Sequence, residues 1–194
     1  MPWAEFIDLT DSLALDSFYR TDTHWRQENL LPAAQAIGDA MGITVDSFTE
    51  AHREEPFYGV YYGQAALPMA PDELVLLESD WLSQCTVYDH ESGKTGQVYD
   101  LSKVAGNDLY EVYLSGPRSL LTITNPNGQP GKELIVFRDS FGSSMAPLLA
   151  QDYETVILVD IRYLNAALLG NFIDFHGQDV LFLYSTLVHQ TFLS

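Results

Sequence analysis

Three short apolar runs near the end of the chain, at 134–137, 155–159 and 180–184, constrain its fold most strongly. Each is strand-length and rich in Val, Ile, Leu or Phe, the pattern of a strand covered on both faces. Between them, residues 143–151 and 163–175 carry helical spacing, with Pro147 near the first turn of the former. Strand, helix, strand, helix, strand predicts an α/β chain with right-handed crossovers and a mostly parallel sheet with helices on both faces. A further strand is expected at 120–124, followed by the turn Asn125-Pro126-Asn127-Gly128.

Ligands of such sheets bind beyond the carboxyl ends of the strands. Ser140 stands there, directly after 134–137 and before a helix whose free amides can hold an anion. Asp160, Arg162 and Tyr163 follow the next strand and Ser185 the last, so all should face one crevice. Arg162 reads by default as half of a surface ion pair; its place makes binding of an oxyanion or acidic sugar the alternative.

A serine hydroxyl is a weak nucleophile until a histidine takes its proton and a carboxylate orients that histidine. Asp22-Thr23-His24-Trp25 offers both partners ahead of a helix at 30–41 that Gly42 ends. The competing reading makes Asp22 a helix cap, Ser140 a turn residue and Trp25 a packing residue.

The chain length suits a single domain over residues 1–194, with 46–119 as an irregular insert. The net charge of −18 argues against nucleic acid and anionic lipid as partners. No apolar window is long enough to insert in a membrane, and no signal peptide is visible. One cysteine, Cys85, excludes a disulfide framework and a Cys-based zinc site. Without HExxH, P-loop or GxGxxG spacing, no metal or cofactor is expected. The cluster of Tyr58, Tyr61 and Tyr62 could stack on sugar rings or pack in a core or interface.

Tyr19-Arg20-Thr21-Asp22-Thr23-His24-Trp25, together with Asp139-Ser140-Phe141-Gly142-Ser143-Ser144, resembles the DHHW family, related to the SGNH-hydrolase-like domains of alginate O-acetyltransferase proteins. Tyr113-Leu114-Ser115-Gly116 resembles that family's glycine turn. The resemblance implies an SGNH-hydrolase-like three-layer sandwich, with Asp22 as acid, His24 as base and Ser140 as nucleophile. It implies a hydrolase or O-acyltransferase acting on O-acetyl groups of a cell-surface polysaccharide or another O-acylated molecule. It also implies that the chain is part of a longer, exported protein acting outside the cytoplasm or at the cell surface. Gly142, Gly116, Arg162, Trp25 and Tyr163 are the expected oxyanion and substrate contacts. Three departures stand out: little room for a strand upstream of Asp22, Arg138 in place of glycine, and Pro117 in place of asparagine. They motivate two alternatives: an inactive glycan-binding or assembly domain, and a fragment that packs on an absent N-terminal segment.

Overall fold

The strand that leads into Ser140 lies one place in from the sheet edge and runs opposite to the strand that precedes it in sequence. The computed structural model describes residues 4–65, 68–106 and 108–186. Its first helix, α1 (Leu31–Met41), ends at Gly42, whose left-handed φ of 66° glycine adopts without steric cost. β1 (Thr49–Phe57) and β2 (Asp72–Glu78) form an antiparallel pair, with α2 (Val60–Ala65) between them.

Six strands form the main sheet: β3 (Thr86–Asp89), β4 (Lys94–Gln97), β5 (Leu120–Thr124), β6 (Gln129–Arg138), β7 (Tyr153–Val159) and β8 (Asp179–Leu183). Their spatial order is β4-β3-β5-β7-β6-β8. β5, β6 and β7 cover the runs expected at 120–124, 134–137 and 155–159, and β8 covers all but the last residue of that expected at 180–184.

The expectation of a mostly parallel sheet is corrected: the sheet is mixed. β6 runs parallel to β7 and β8, whereas β5 is antiparallel to β7, and β3 is antiparallel to β4 and β5. A parallel return needs a crossover of about a dozen residues. Only the short turn at 125–128 separates β5 from β6, so β6 must reverse, and β7 then fits between them. The turn straddles the start of β7. Asn125 Nδ2 donates to the Ala150 and Gln151 carbonyls, and a Cβ at Gly128 would lie 2.1 Å from the Tyr153 carbonyl oxygen.

Both faces of β6 are covered. Leu134 and Val136 join the core of Ala33, Ala34 and Ile37 from α1, while Ile135 packs with Leu169 and Ile173. The expected helices are shorter than their spacing suggested. Residues 143–151 form α3 (Gly142–Met145) and a 3-10 turn at Ala146–Leu149, where Pro147 cannot donate a helical hydrogen bond. Within 163–175 the helical element is the 3-10 segment Ala166–Asn171. Among the described residues no helix is long and apolar enough to cross a membrane.

Candidate active site

The loop before α1 is built to present two side chains. Its ends close through an antiparallel bridge between Phe18 and Trp25, with the Tyr19 amide donating to the His24 carbonyl. Its middle is pinned from outside: the Thr21 amide and hydroxyl both donate to Asp72 Oδ2, at 2.8 and 2.7 Å. The Tyr61 amide donates to the Thr21 carbonyl. This loop leaves Asp22 and His24 buried at 2% and 9% exposure.

The second half of the site is the turn after β6. Asp139 holds that turn, its Oδ1 accepting from the Phe141 amide and its Oδ2 from the Ser185 amide beyond β8. Ser140 thus sits where the carboxyl ends of parallel β6 and β8 meet.

The two halves join in a line of hydrogen bonds. His24 Nδ1 lies 2.5 Å from Asp22 Oδ1, and His24 Nε2 lies 2.8 Å from Ser140 Oγ. Asp22 Oδ1 also accepts from the His24 amide, and Oδ2 from the Val60 amide at 3.0 Å. Burial opposes ionisation of Asp22, but the hydrogen bonds from His24 and Val60 outweigh it and hold the carboxyl below its usual range. With the Nδ1 proton directed to Asp22, Nε2 is left as an acceptor for the serine proton.

A cavity of about 210 Å³ opens over Ser140 and His24, lined among others by Gly116, Pro117, Arg138, Arg162 and Tyr163. Larger cavities lie near Tyr99 and beside β8, but neither is lined by His24 or Ser140. The chain enters Gly116 through Leu114 and Ser115, whose positive φ values of 57° and 61° are costly for residues with side chains, whereas Gly116 takes its 84° without strain.

The other expected contacts divide. Arg162 and Tyr163 line the cavity, and Arg162 is held by Asp160 through Nε and Nη2 at 2.9 and 2.6 Å. That pairing leaves Nη1 uncommitted to Asp160. Gly116 lines the cavity, but its amide donates to the Tyr113 carbonyl. Gly142 donates to the Asp139 carbonyl. Trp25 is buried away from the cavity lining, where Nε1 donates to Ser144 Oγ at 2.9 Å and to the Phe141 carbonyl at 3.1 Å. The Ser140 amide has no acceptor among the described residues.

Arg138 is accommodated because Gly142 lacks a side chain: a Cβ there would lie 2.6 Å from Arg138 Cβ. The buried guanidinium donates to Ser143 Oγ at 3.0 Å. Burial pulls its pKa down, and the charge of Asp160 works against that. Cys85 is no rival nucleophile, since burial pushes its thiol up to about 12.

Sequence reading missed three cavity residues, Asp108, Tyr110 and Glu111. Tyr110 stacks on the His24 imidazole with ring centroids 3.8 Å apart and planes 9° apart. Burial raises the Asp108 carboxyl above its usual range, with the nearby Asp22 charge adding to the effect.

The model of the DHHW protein family matches residues 10–159. No match is found among curated proteins. Among solved structures, a DHHW family protein from Eubacterium siraeum aligns with TM-score 0.70 and 22% identity, over 89% of this chain and 60% of that one. Bacillus cereus PatB1, solved with a sulfonyl adduct, aligns with TM-score 0.66 and 20% identity, over 88% of this chain and 60% of that one. The chain therefore spans about three fifths of the length of the solved structures it matches. At these identities the structural likeness concerns the fold; the family match extends over most of the chain, from the Asp22 loop through Ser140 to the end of β7. This chain belongs to the DHHW family.

Proposed function

We propose that this domain is an SGNH-like serine esterase or O-acyltransferase using Asp22, His24 and Ser140 as a triad. The observation that carries the proposal is the continuous hydrogen-bond line from Asp22 through His24 to Ser140 at the carboxyl edge of the sheet. Ser140 Oγ attacks the acyl carbonyl carbon as His24 Nε2 takes the hydroxyl proton. Asp22 keeps the imidazole in the required tautomer and offsets its positive charge. The tetrahedral oxyanion is held by the free Ser140 amide and by Arg162 Nη1, which Asp160 orients. Collapse breaks the bond to the leaving alcohol, which takes the proton from His24 and leaves Ser140 acylated. Water or a sugar hydroxyl then gives its proton to His24 and attacks the acyl carbon; collapse breaks the bond to Ser140 Oγ, which takes the proton back from His24.

The substrate we propose is an O-acetylated polysaccharide outside the cytoplasm or at the cell surface, in keeping with the DHHW motifs. Hydrolysis of p-nitrophenyl acetate, followed by mapping of a sulfonyl fluoride, tests the chemistry. Wild-type turnover and labelling at Ser140 are expected, with both lost in Ser140→Ala. An ester-hydrolysing domain whose rate survives that substitution would refute the triad.

A second reading is favoured by the exposed tyrosines. Tyr58, Tyr61 and Tyr62 are 40%, 45% and 37% exposed, and Tyr58 and Tyr62 have ring centroids 4.5 Å apart. A glycan-binding or assembly domain without turnover would bind saccharide through these rings. Saccharide binding that survives Ser140→Ala, with no labelling of Ser140 in the wild type, would support it.

A further inference from the structure

We propose that Tyr110 is a positioning residue that holds the base and the nucleophile in one register, His24 through its ring and Ser140 through its hydroxyl. The proposal rests on the triad reading for its consequence, but its geometry stands independently. The ring is 6% exposed and lies nearly parallel to the imidazole at 3.8 Å, while Phe141 approaches the imidazole at 5.0 Å with a tilt of 50°. An imidazole fixed by Asp22 alone could still swing about its side-chain torsion. A flat ring against its face removes that freedom.

The hydroxyl does the complementary work. Trp25 Nε1 can only donate, and it reaches Ser144 Oγ at 2.9 Å. Ser144 Oγ lies 2.9 Å from the Tyr110 hydroxyl, which donates to the Ser140 carbonyl at 3.1 Å. A carbonyl accepts only, so one directed chain runs from Trp25 through Ser144 and Tyr110 to the backbone of Ser140. Burial pushes the Tyr110 phenol well above its usual range, which keeps it a hydrogen-bond donor. The segment is set by Asp108, whose side chain accepts from the Tyr110 amide at 3.0 Å.

Three variants test this. Tyr110→Phe keeps the ring and removes the hydroxyl. Tyr110→Met fills similar space without a planar face, and Ser140→Ala reports on the triad itself. Ester kinetics should show kcat down about fivefold in the Phe variant, the worth of one hydrogen bond. In the Met variant kcat should fall about a hundredfold, the effect of a misplaced base. KM should stay at the wild-type value in both. Wild-type kcat in a folded Met variant would overturn the proposal, as would a Phe variant as impaired as the Met variant. If the Met variant does not fold, the Phe variant decides: unchanged kcat overturns the proposal, and the expected loss at constant KM supports it. Imidazole NMR of His24 supplies a readout without turnover. A sharp, single environment is expected in wild type and Phe variant, and a broadened or doubled one in the Met variant. If no ester is turned over at all, the acyl-transfer reading fails, and the NMR comparison still decides the role of Tyr110.

Discussion

Gly59 presses its bare Cα against Asp22: a Cβ at position 59 would stand 2.2 Å from Asp22 Cβ and 2.5 Å from its Oδ2. The carboxylate is therefore seated against backbone on the side facing α2, where Val60 donates to it. Gly59→Ala should displace Asp22. Overpacking of this kind costs about 1–3 kcal/mol. A drop in denaturant midpoint together with a fall in kcat is expected, and a stable variant with wild-type kcat would show that the loop yields freely.

The tautomer argument makes Asp22→Asn a sharper test than removal of bulk. The amide preserves shape but cannot accept the Nδ1 proton as a carboxylate does. Ester turnover should fall by about 10³–10⁴, with the fold intact by circular dichroism. A loss of only a few fold would mean that His24 is oriented by its stacking alone.

In the proposed mechanism Arg162 serves the oxyanion because the amides of Gly116 and Gly142 already have acceptors. Arg162→Gln should lower kcat by about 10²–10³, the usual effect of losing one oxyanion donor. Lysine should rescue poorly, since it lacks the fork that grips Asp160 while leaving a third nitrogen for the substrate. A Lys variant with wild-type kcat would contradict that division of labour.

Acid should loosen the loop that Asp72 pins through Thr21. Burial disfavours ionised Asp72, but donors from Thr21 and Arg20 outweigh it and hold the carboxyl below its usual range. A lowered folded-state pKa gives stability that is complete above the unfolded value of about 3.9 and is lost as pH falls through the folded value. Asp72→Asn should therefore cost about 1–3 kcal/mol at neutral pH. The difference from wild type should shrink as pH falls below about 4. Urea midpoints measured across that range check the sign; a constant difference would contradict it.

The pairing of Asp22 and His24 with Ser140 was legible in the sequence because the two motifs together resemble those of the DHHW family and the strand pattern places Ser140 at a strand end. α1 was equally legible, from Leu30, Ala34, Ile37 and Met41 and the stop at Gly42. Strand direction was not. An apolar run such as 120–124 looks the same in either direction, and only the shortness of the turn before β6 decides it. Tyr110 was invisible for another reason. It lies on a one-turn 3-10 segment, Leu109–Val112, whose buried residues follow no helical or strand period. β1 was hidden because most of its residues are polar and exposed. The signal for Gly59 was its lack of a side chain beside the tyrosines, which acquires meaning only once Asp22 is known to pack there.

The most direct test of the central claim is intact-protein and peptide mass spectrometry after brief exposure to an activated acetyl ester. An acetyl group on Ser140 in the wild type, absent from Ser140→Ala and strongly reduced in His24→Ala, is the expected result. Ester turnover without any acetyl on Ser140, or acetylation of Ser140 that does not depend on His24, would contradict it.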